Sequence, residues 1–406
     1  MRLLALVALA GGLVGRPYDA PGTGGPVGSY DVRGTGGFAG RPYEIGGTPR
    51  QDRCPPVEAR REVEARLQAI LDSALATRPI MNAISVHVEA PKRCLSWSGA
   101  AGVADKATGT KLRPEQPVRI ASNTKTYVAA AVLRLVEDGK VKIDAPITTY
   151  LPAEYLDALR GGGYDPSAIT VRHLLHHTSG IFDYATDESF GTTVFGEPSR
   201  RWSRMDQVRW AMEKGKPYGA PGTVYNYSDT GYILLGEILE RVTGQGLAQA
   251  LRGLLGFDRL KLTSTWLESL EPAPAGVADR AHQYMDSLDT YAADPSFDLY
   301  GGGGLVATPK DMATFTRALL TGKVYRDPKT LELMLSNPGV TTQRDYRMGI
   351  YAMALAGDQG FGHSGFWSTY AFHIPASDVT IASSISQQGM GNASRQLLEA
   401  VYRVVR

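Results

Sequence analysis

Strand-forming segments stand at both ends of this chain, and the long stretch between them is helical in pattern. Ala83–Ala90 alternates around Ile84, Val86 and Val88, and a second extended run follows over about 94–98. The C-terminal part returns to strands over 348–355, 361–369, 370–374 and 379–386. Connections as short as Pro375-Ala376-Ser377-Asp378 imply antiparallel hairpins. Apolar residues at helical spacing mark an opening helix (Val63, Leu67, Ile70, Leu71, Ala74) and a closing one (Leu397, Leu398, Val401, Val405). This distribution predicts an α/β chain of the α+β type: one antiparallel sheet built from both termini, flanked by helices, with a mostly helical insertion. The sheet-bearing part is expected over about 55–118 and 295–406, and the helical part over about 119–294.

A chain of 406 residues with 43% hydrophobic content can bury a large core. Lys+Arg 43 against Asp+Glu 41 leaves a net charge of +2 with no long basic block, which argues against nucleic acid as a partner. After residue 15 no apolar run approaches the length that spans a bilayer. The start, with Arg2, a short apolar run and Ala8-Leu9-Ala10, has the form of an export signal, so a periplasmic or secreted protein is expected. Residues 15–50 are rich in Gly, Pro, Tyr, Thr and Arg, and Gly15-Arg16-Pro17-Tyr18 returns as Gly40-Arg41-Pro42-Tyr43. So few aliphatic side chains cannot offset the entropy of ordering, and residues 1–54 read as signal plus linker ahead of a folded unit over 55–406. Cys54 and Cys94 are the only cysteines; they form one disulfide if exported, or two thiols if not.

Chemistry concentrates at Ser122-Asn123-Thr124-Lys125, where an amphipathic helix begins with Val128, Val132, Leu135 and Val136 on one face and Gly139 as its stop. Residues three apart on a helix are neighbours, so the Lys125 amine can reach the Ser122 hydroxyl. A serine needs such a base to become a nucleophile. Two further segments lie downstream, Tyr227-Ser228-Asp229 and His363-Ser364-Gly365.

Taken in order, these three motifs resemble those of the serine β-lactamase-like hydrolases, most closely the branch of class C β-lactamases, serine D-Ala-D-Ala carboxypeptidases, D-aminopeptidases and related esterases. The flanking phrases His177-Thr178-Ser179-Gly180 and Gly303-Gly304-Leu305 add to the likeness, which covers about residues 55–406. It implies a site between the two parts of the fold. Ser122 would form an acyl-enzyme, Lys125 and Tyr227 would move protons, and backbone N–H groups of Ser122 and Phe366 would form the oxyanion hole. Asp229, His363, Ser364 and Gly365 would bind substrate.

Two residues depart from the commoner pattern. Asp229 stands where many relatives carry Asn; an Asn amide donates to a substrate carbonyl, whereas an ionised Asp only accepts. It is expected to pair with Lys125, or to serve as a helix cap, and to make β-lactam hydrolysis feeble. His363 stands where many relatives carry Lys, and its hold on a substrate carboxylate would fade as pH rises through its pKa.

Other constellations are weaker. His173, His176 and His177 lack His-Glu-x-x-His spacing, and Gly362-His363-Ser364-Gly365-Phe366 lacks the closing Gly of a nucleophile elbow. Trp367 is a candidate substrate contact beside Phe366. The expectation is a monomeric serine hydrolase without metal or organic cofactor, acting on a small peptide, β-lactam or ester. A D-Ala-D-Ala carboxypeptidase-like role leads, a carboxylesterase on the same machinery is the alternative, and a non-catalytic binding protein keeping the fold comes third.

Overall fold

The computed structural model describes residues 54–340 and 345–406; the export signal and the Gly/Pro-rich linker read from the sequence lie outside the described residues. Helix α1 (Val57–Ala76) leads into β1 (Ala83–Ala90) and β2 (Leu95–Asp105), then the short strands β3 (Thr110–Lys111) and β4 (Val118–Arg119). The helical part contains α2 (Thr124–Glu137), α3 (Ala153–Gly161), α4 (Val171–Leu175), α5 (Glu188–Gly196), α6 (Arg204–Lys214), α7 (Asp229–Thr243), α8 (Leu247–Leu255) and α9 (Phe257–Leu260). Strands β5 (Trp266–Leu267), β6 (Tyr284–Met285), β7 (Leu288–Asp289) and β8 (Leu305–Ala307) lead to α10 (Pro309–Leu320) and α11 (Pro328–Met334). The chain closes with β9 (Tyr351–Leu355), β10 (Asp358–Gly365), β11 (Thr369–Ile374), β12 (Val379–Ile385) and α12 (Gly391–Val405).

The main sheet has seven strands in the order β3-β2-β1-β12-β11-β10-β9. Its two ends of sequence meet at the antiparallel β1–β12 pair, with Ile84 opposite Ile385 and Val88 opposite Ile381. The alternation read in β1 places Ile84, Val86 and Val88 on the face covered by α1 and α12, where they pack with Leu67, Leu71, Leu398 and Val401. Burying each such aliphatic side chain stabilises the fold by about 1.5–3 kcal/mol. The opposite face, with Ala371 and Ala382, packs on α10 and continues into the core of the helical part.

Three boundaries differ from the sequence reading. Strand β2 continues past 98 to Asp105 because its Gly- and Ala-rich end pairs with β1 as far as Ala83–Gly102. Gly102 is required there: its φ is +88°, and a Cβ would lie 2.0 Å from Asn82 O. The expected strand over 348–355 starts at Tyr351, and the run over 361–369 is broken by a turn at 366–368, where Ser368 takes φ 57°. Cys54 and Cys94 form a disulfide with Cα atoms 5.5 Å apart, fastening the start of α1 to the β1–β2 connection.

A small sheet, β4-β8-β5, lies where the two parts of the fold meet. It carries the turn that presents Ser122: Ile120 N–H donates to Leu305 O at 3.0 Å, and Leu305 N–H donates to Thr124 Oγ1 at 3.2 Å.

Candidate active site

Ser122 lies in a single turn of 3-10 helix, Ala121–Asn123, and the α-helix proper begins at Thr124. Ala121 is held at φ 45°, a conformation that non-glycine residues adopt only where surroundings enforce it. The turn is fixed from its other side by the main sheet. Asn123 Nδ2 donates to Thr369 Oγ1 at 2.9 Å and to Thr369 O at 3.2 Å, and Thr369 Oγ1 donates to Ile120 O at 3.0 Å. Ser122 is half-buried among buried neighbours, so its hydroxyl retains access to solvent.

Lys125 is fully buried, and each of its ammonium hydrogens has an acceptor. Nζ donates to Ser122 Oγ at 2.9 Å, to Gly302 O at 2.7 Å, and to the Asp229 carboxylate in a close ion pair. The Tyr227 phenol hydrogen-bonds Ser122, and its ring centroid is 4.9 Å from Lys125 Nζ. Burial above all, with Asp229 and Tyr351 adding to it, pushes the Tyr227 phenol well above its ordinary value, so it stays protonated.

Tyr227 is held by a residue the sequence reading considered only as a metal ligand. His177, at φ 57°, accepts the Asn226 N–H on its carbonyl at 2.8 Å and the Ser228 N–H on Nδ1 at 3.0 Å, and its ring lies 4.1 Å from that of Tyr227. Burial, then the nearby Lys125, holds the imidazole well below its ordinary value, consistent with Nδ1 as an acceptor. His173, His176 and His177 form no metal-type cluster among the described residues. Such a group exists where β2 meets the β6–β7 hairpin, and there His282 Nδ1 is already paired with Asp289 at 2.7 Å.

The predicted substrate-binding residues are placed differently from one another. Asp229 is not the cap of α7: Ser228 is, accepting the Gly231 N–H. Asp229 is 9% exposed and taken up by Lys125, so as a substrate donor or acceptor it is corrected to a partner of the lysine. His363 is corrected likewise. It is 2% exposed, with Nδ1 2.6 Å from Ser364 O and Nε2 3.3 Å from Tyr346 Oη, and it backs the Tyr227–Tyr351 aromatic group rather than offering a cation to substrate. Ser364 is half-buried. Gly365 is a close-approach residue, since a Cβ there would meet Ile120 O at 2.3 Å and Thr369 Oγ1 at 2.4 Å. That contact sets the Phe366 turn against the Ser122 turn, which brings the two expected oxyanion N–H groups onto adjoining segments. Trp367, at 1% exposure, belongs to the core and is not a substrate contact.

The acceptor Gly302 O belongs to the run Gly301–304, read from sequence as close backbone packing. Around it lie two carboxyls that the sequence reading passed over. Asp183, buried, accepts N–H groups of Ala185 and Asp229; burial foremost, then Asp229, drives its carboxyl well above the ordinary range. Asp298, at the end of the turn Pro295–Asp298, is raised to about 7 by burial and by Asp229, with Lys125 opposing. Loop carboxylates of this kind look like solvated acids in a sequence; the only signal was the glycine run that follows. A hydroxyl bonded to both an amine and a phenol, at the meeting of two turns, is equipment for nucleophilic acyl transfer.

The Beta-lactamase family model matches residues 92–402. The chain belongs to the beta-lactamase family. Esterase EstB of Burkholderia gladioli is 35% identical over 196 residues, 47% of this chain and 48% of the relative. Teichoic acid D-alanine hydrolase of Staphylococcus aureus is 26% identical over 260 residues, 64% of this chain and 59% of the relative. The chain therefore matches only about half of the length of these curated relatives. Among solved structures, a D-stereospecific amidohydrolase from Streptomyces superposes with a TM-score of 0.72 at 26% identity, covering 84% of this chain and 98% of that one. D-amino acid amidase from Ochrobactrum anthropi shares the fold, with a TM-score of 0.71 at 23% identity, covering 85% and 98%. The chain is thus a hydrolase of the beta-lactamase family with a mixed fold of helices and antiparallel sheet.

Proposed function

We propose that the protein is a serine hydrolase that cleaves small esters or amides through an acyl-enzyme on Ser122. The Lys125 amine takes the Ser122 proton as Oγ attacks the carbonyl, and Asp229 stabilises the ammonium that results. The Ser122 and Phe366 N–H groups receive the oxyanion. On collapse, the Tyr227 phenol gives its proton to the leaving group and recovers one from Lys125, so the serine proton ends on the leaving alcohol or amine. Water repeats the sequence to release the acid. His177 acts as a positioning residue for Tyr227.

The observation that carries this reading is the joint hydrogen bonding of Ser122 Oγ by Lys125 Nζ, at 2.9 Å, and by Tyr227. The burial of His363 favours substrates that do not present a carboxylate at the β10 edge, which sets esters and amides ahead of a D-Ala-D-Ala carboxypeptidase role. The esterase, D-alanine hydrolase and D-amidohydrolase among its relatives support the same ordering. Pairing of Asp229 with Lys125 leaves no amide donor for an acylamino side chain, and slow or absent acylation by β-lactams follows. The Cys54–Cys94 bridge supports an oxidising compartment outside the cytoplasm.

Intact-mass measurement after treatment with a fluorophosphonate, a p-nitrophenyl ester, a penicillin and a D-Ala-D-Ala peptide tests the proposal. A fluorophosphonate adduct and ester turnover, both abolished in Ser122→Ala, are expected, with little penicilloyl-enzyme and little peptide cleavage. Absence of any Ser122-dependent adduct overturns the reading in favour of a binding protein, and preferred cleavage of the peptide restores the carboxypeptidase.

A further inference from the structure

Asp298 is unusual among the acidic side chains around Lys125. Asp229 is paired with the lysine, and Asp183 accepts two backbone N–H groups. The Asp298 carboxylate, only half-buried, has no hydrogen bond or ion pair among the described residues. Its place is fixed by its neighbours: a Cβ on Gly303 would lie 2.1 Å from Asp298 Oδ1, and the preceding Gly302 gives its carbonyl to Lys125. Only a glycine at 303 leaves this carboxylate room, so it sits one residue along the backbone from the acceptor that holds the catalytic amine.

Charge around the site is not balanced by the protein. The Lys125 ammonium is offset by Asp229, and on the far side Arg119 and Arg280 both bond Glu268. With the imidazole of His363 buried and hydrogen-bonded, no cation of the described residues pairs with Asp298. An anionic acceptor open to the cleft and unmatched by the chain is completed by a cationic donor on the ligand.

We infer that Asp298 forms a subsite for a substrate ammonium, so that the enzyme takes esters or amides of amino acids whose amine is free. This rests on the acyl-enzyme reading above and narrows its substrate class. An ammonium offers three donors and one positive charge, and the bare Gly302-Gly303 ledge leaves room for it beside the carboxylate. The raised pKa of Asp298, about 7, fits a carboxyl waiting for its counter-ion: Asp229 and Glu268 disfavour its ionisation, Lys125 and Arg119 favour it, and a bound ammonium would add to the second pair.

The test compares alanine methyl ester, in both enantiomers, with its N-acetyl counterpart. The wild type is expected to favour the free amine by about 10-fold or more in kcat/KM, about 1.4 kcal/mol. Asp298→Asn should collapse that ratio through KM, and Asp298→Glu should retain part of it. Wild-type preference for the acetylated ester, or a ratio unchanged in Asp298→Asn, overturns the inference. Calorimetric binding of alaninamide to Ser122→Ala separates this from failure of the chemistry. Binding that acetylation or Asp298→Asn abolishes supports the subsite even if the ester is not turned over, and equal binding of both amides rejects it even if Ser122 is acylated.

Discussion

The two faces of the main sheet are covered in different ways. On the outer face, α1 and α12 meet β1, β11 and β12 through Leu, Ile, Val and aromatic rings, with few polar atoms involved. On the inner side, toward the helical part, the chain buries Lys125, Asp183, His177, Tyr227 and His363, and specifies where almost every proton goes. The outer layer holds by area, which is non-directional, and the inner layer by hydrogen-bond geometry, which is not. Stability and chemistry should therefore come apart under mutation.

The largest effect is expected inside. Tyr227→Phe removes the hydroxyl that bonds Ser122 and donates to the leaving group, and kcat on a p-nitrophenyl ester should fall by about 10²–10⁴-fold. The circular dichroism spectrum should be unchanged; equal loss of structure would erase the contrast. Leu398→Ala, in the outer layer, should cost about 3 kcal/mol of stability, read from urea midpoints, without slowing the labelling of Ser122 by a fluorophosphonate. A labelling defect in the folded variant would show that the layers are coupled.

The smallest effect sharpens the comparison through pH. His373, whose Nδ1 lies 2.8 Å from Thr380 Oγ1, is lowered to about 4 by burial and by Arg317 of α10. A histidine with a depressed folded pKa is neutral in the fold and protonated in the unfolded chain, so its contribution is present above about 6.5 and is lost as pH falls toward 4. At pH 5.5 this amounts to about 1 kcal/mol. Urea midpoints at pH 8 and 5.5 should draw apart less in His373→Gln than in the wild type, while the same pair of measurements on Leu398→Ala should keep the full wild-type difference. His176, also lowered to about 4 chiefly by burial, keeps part of the acid sensitivity in the histidine variant.

What could be read in advance follows the same division. Ser122, Lys125 and Tyr227 stand in motifs whose internal spacing is local, and the aliphatic periods of α1, β1 and α12 are local too. The burial of His363 and Trp367 was not legible, because alternation along a strand tells which residues share a face and not what covers it. The end of β2 was missed since Gly99, Ala100, Ala101 and Gly102 carry weak strand preference, and pairing with β1 overrides it. His177 and Asp298 act from loops whose conformation is imposed by distant segments, so no window of sequence around them contains the reason for their position.

Gly365 has a wider consequence. Because it lets the edge of β10 rest directly on Ile120, main chain against main chain, the separation between the nucleophile's turn and the turn carrying Phe366 is set by peptide geometry rather than by the fit of side chains. Substitutions along the walls can then retune what enters without disturbing the reacting centre. One scaffold with interchangeable walls is what a lineage containing both esterases and amidases would require.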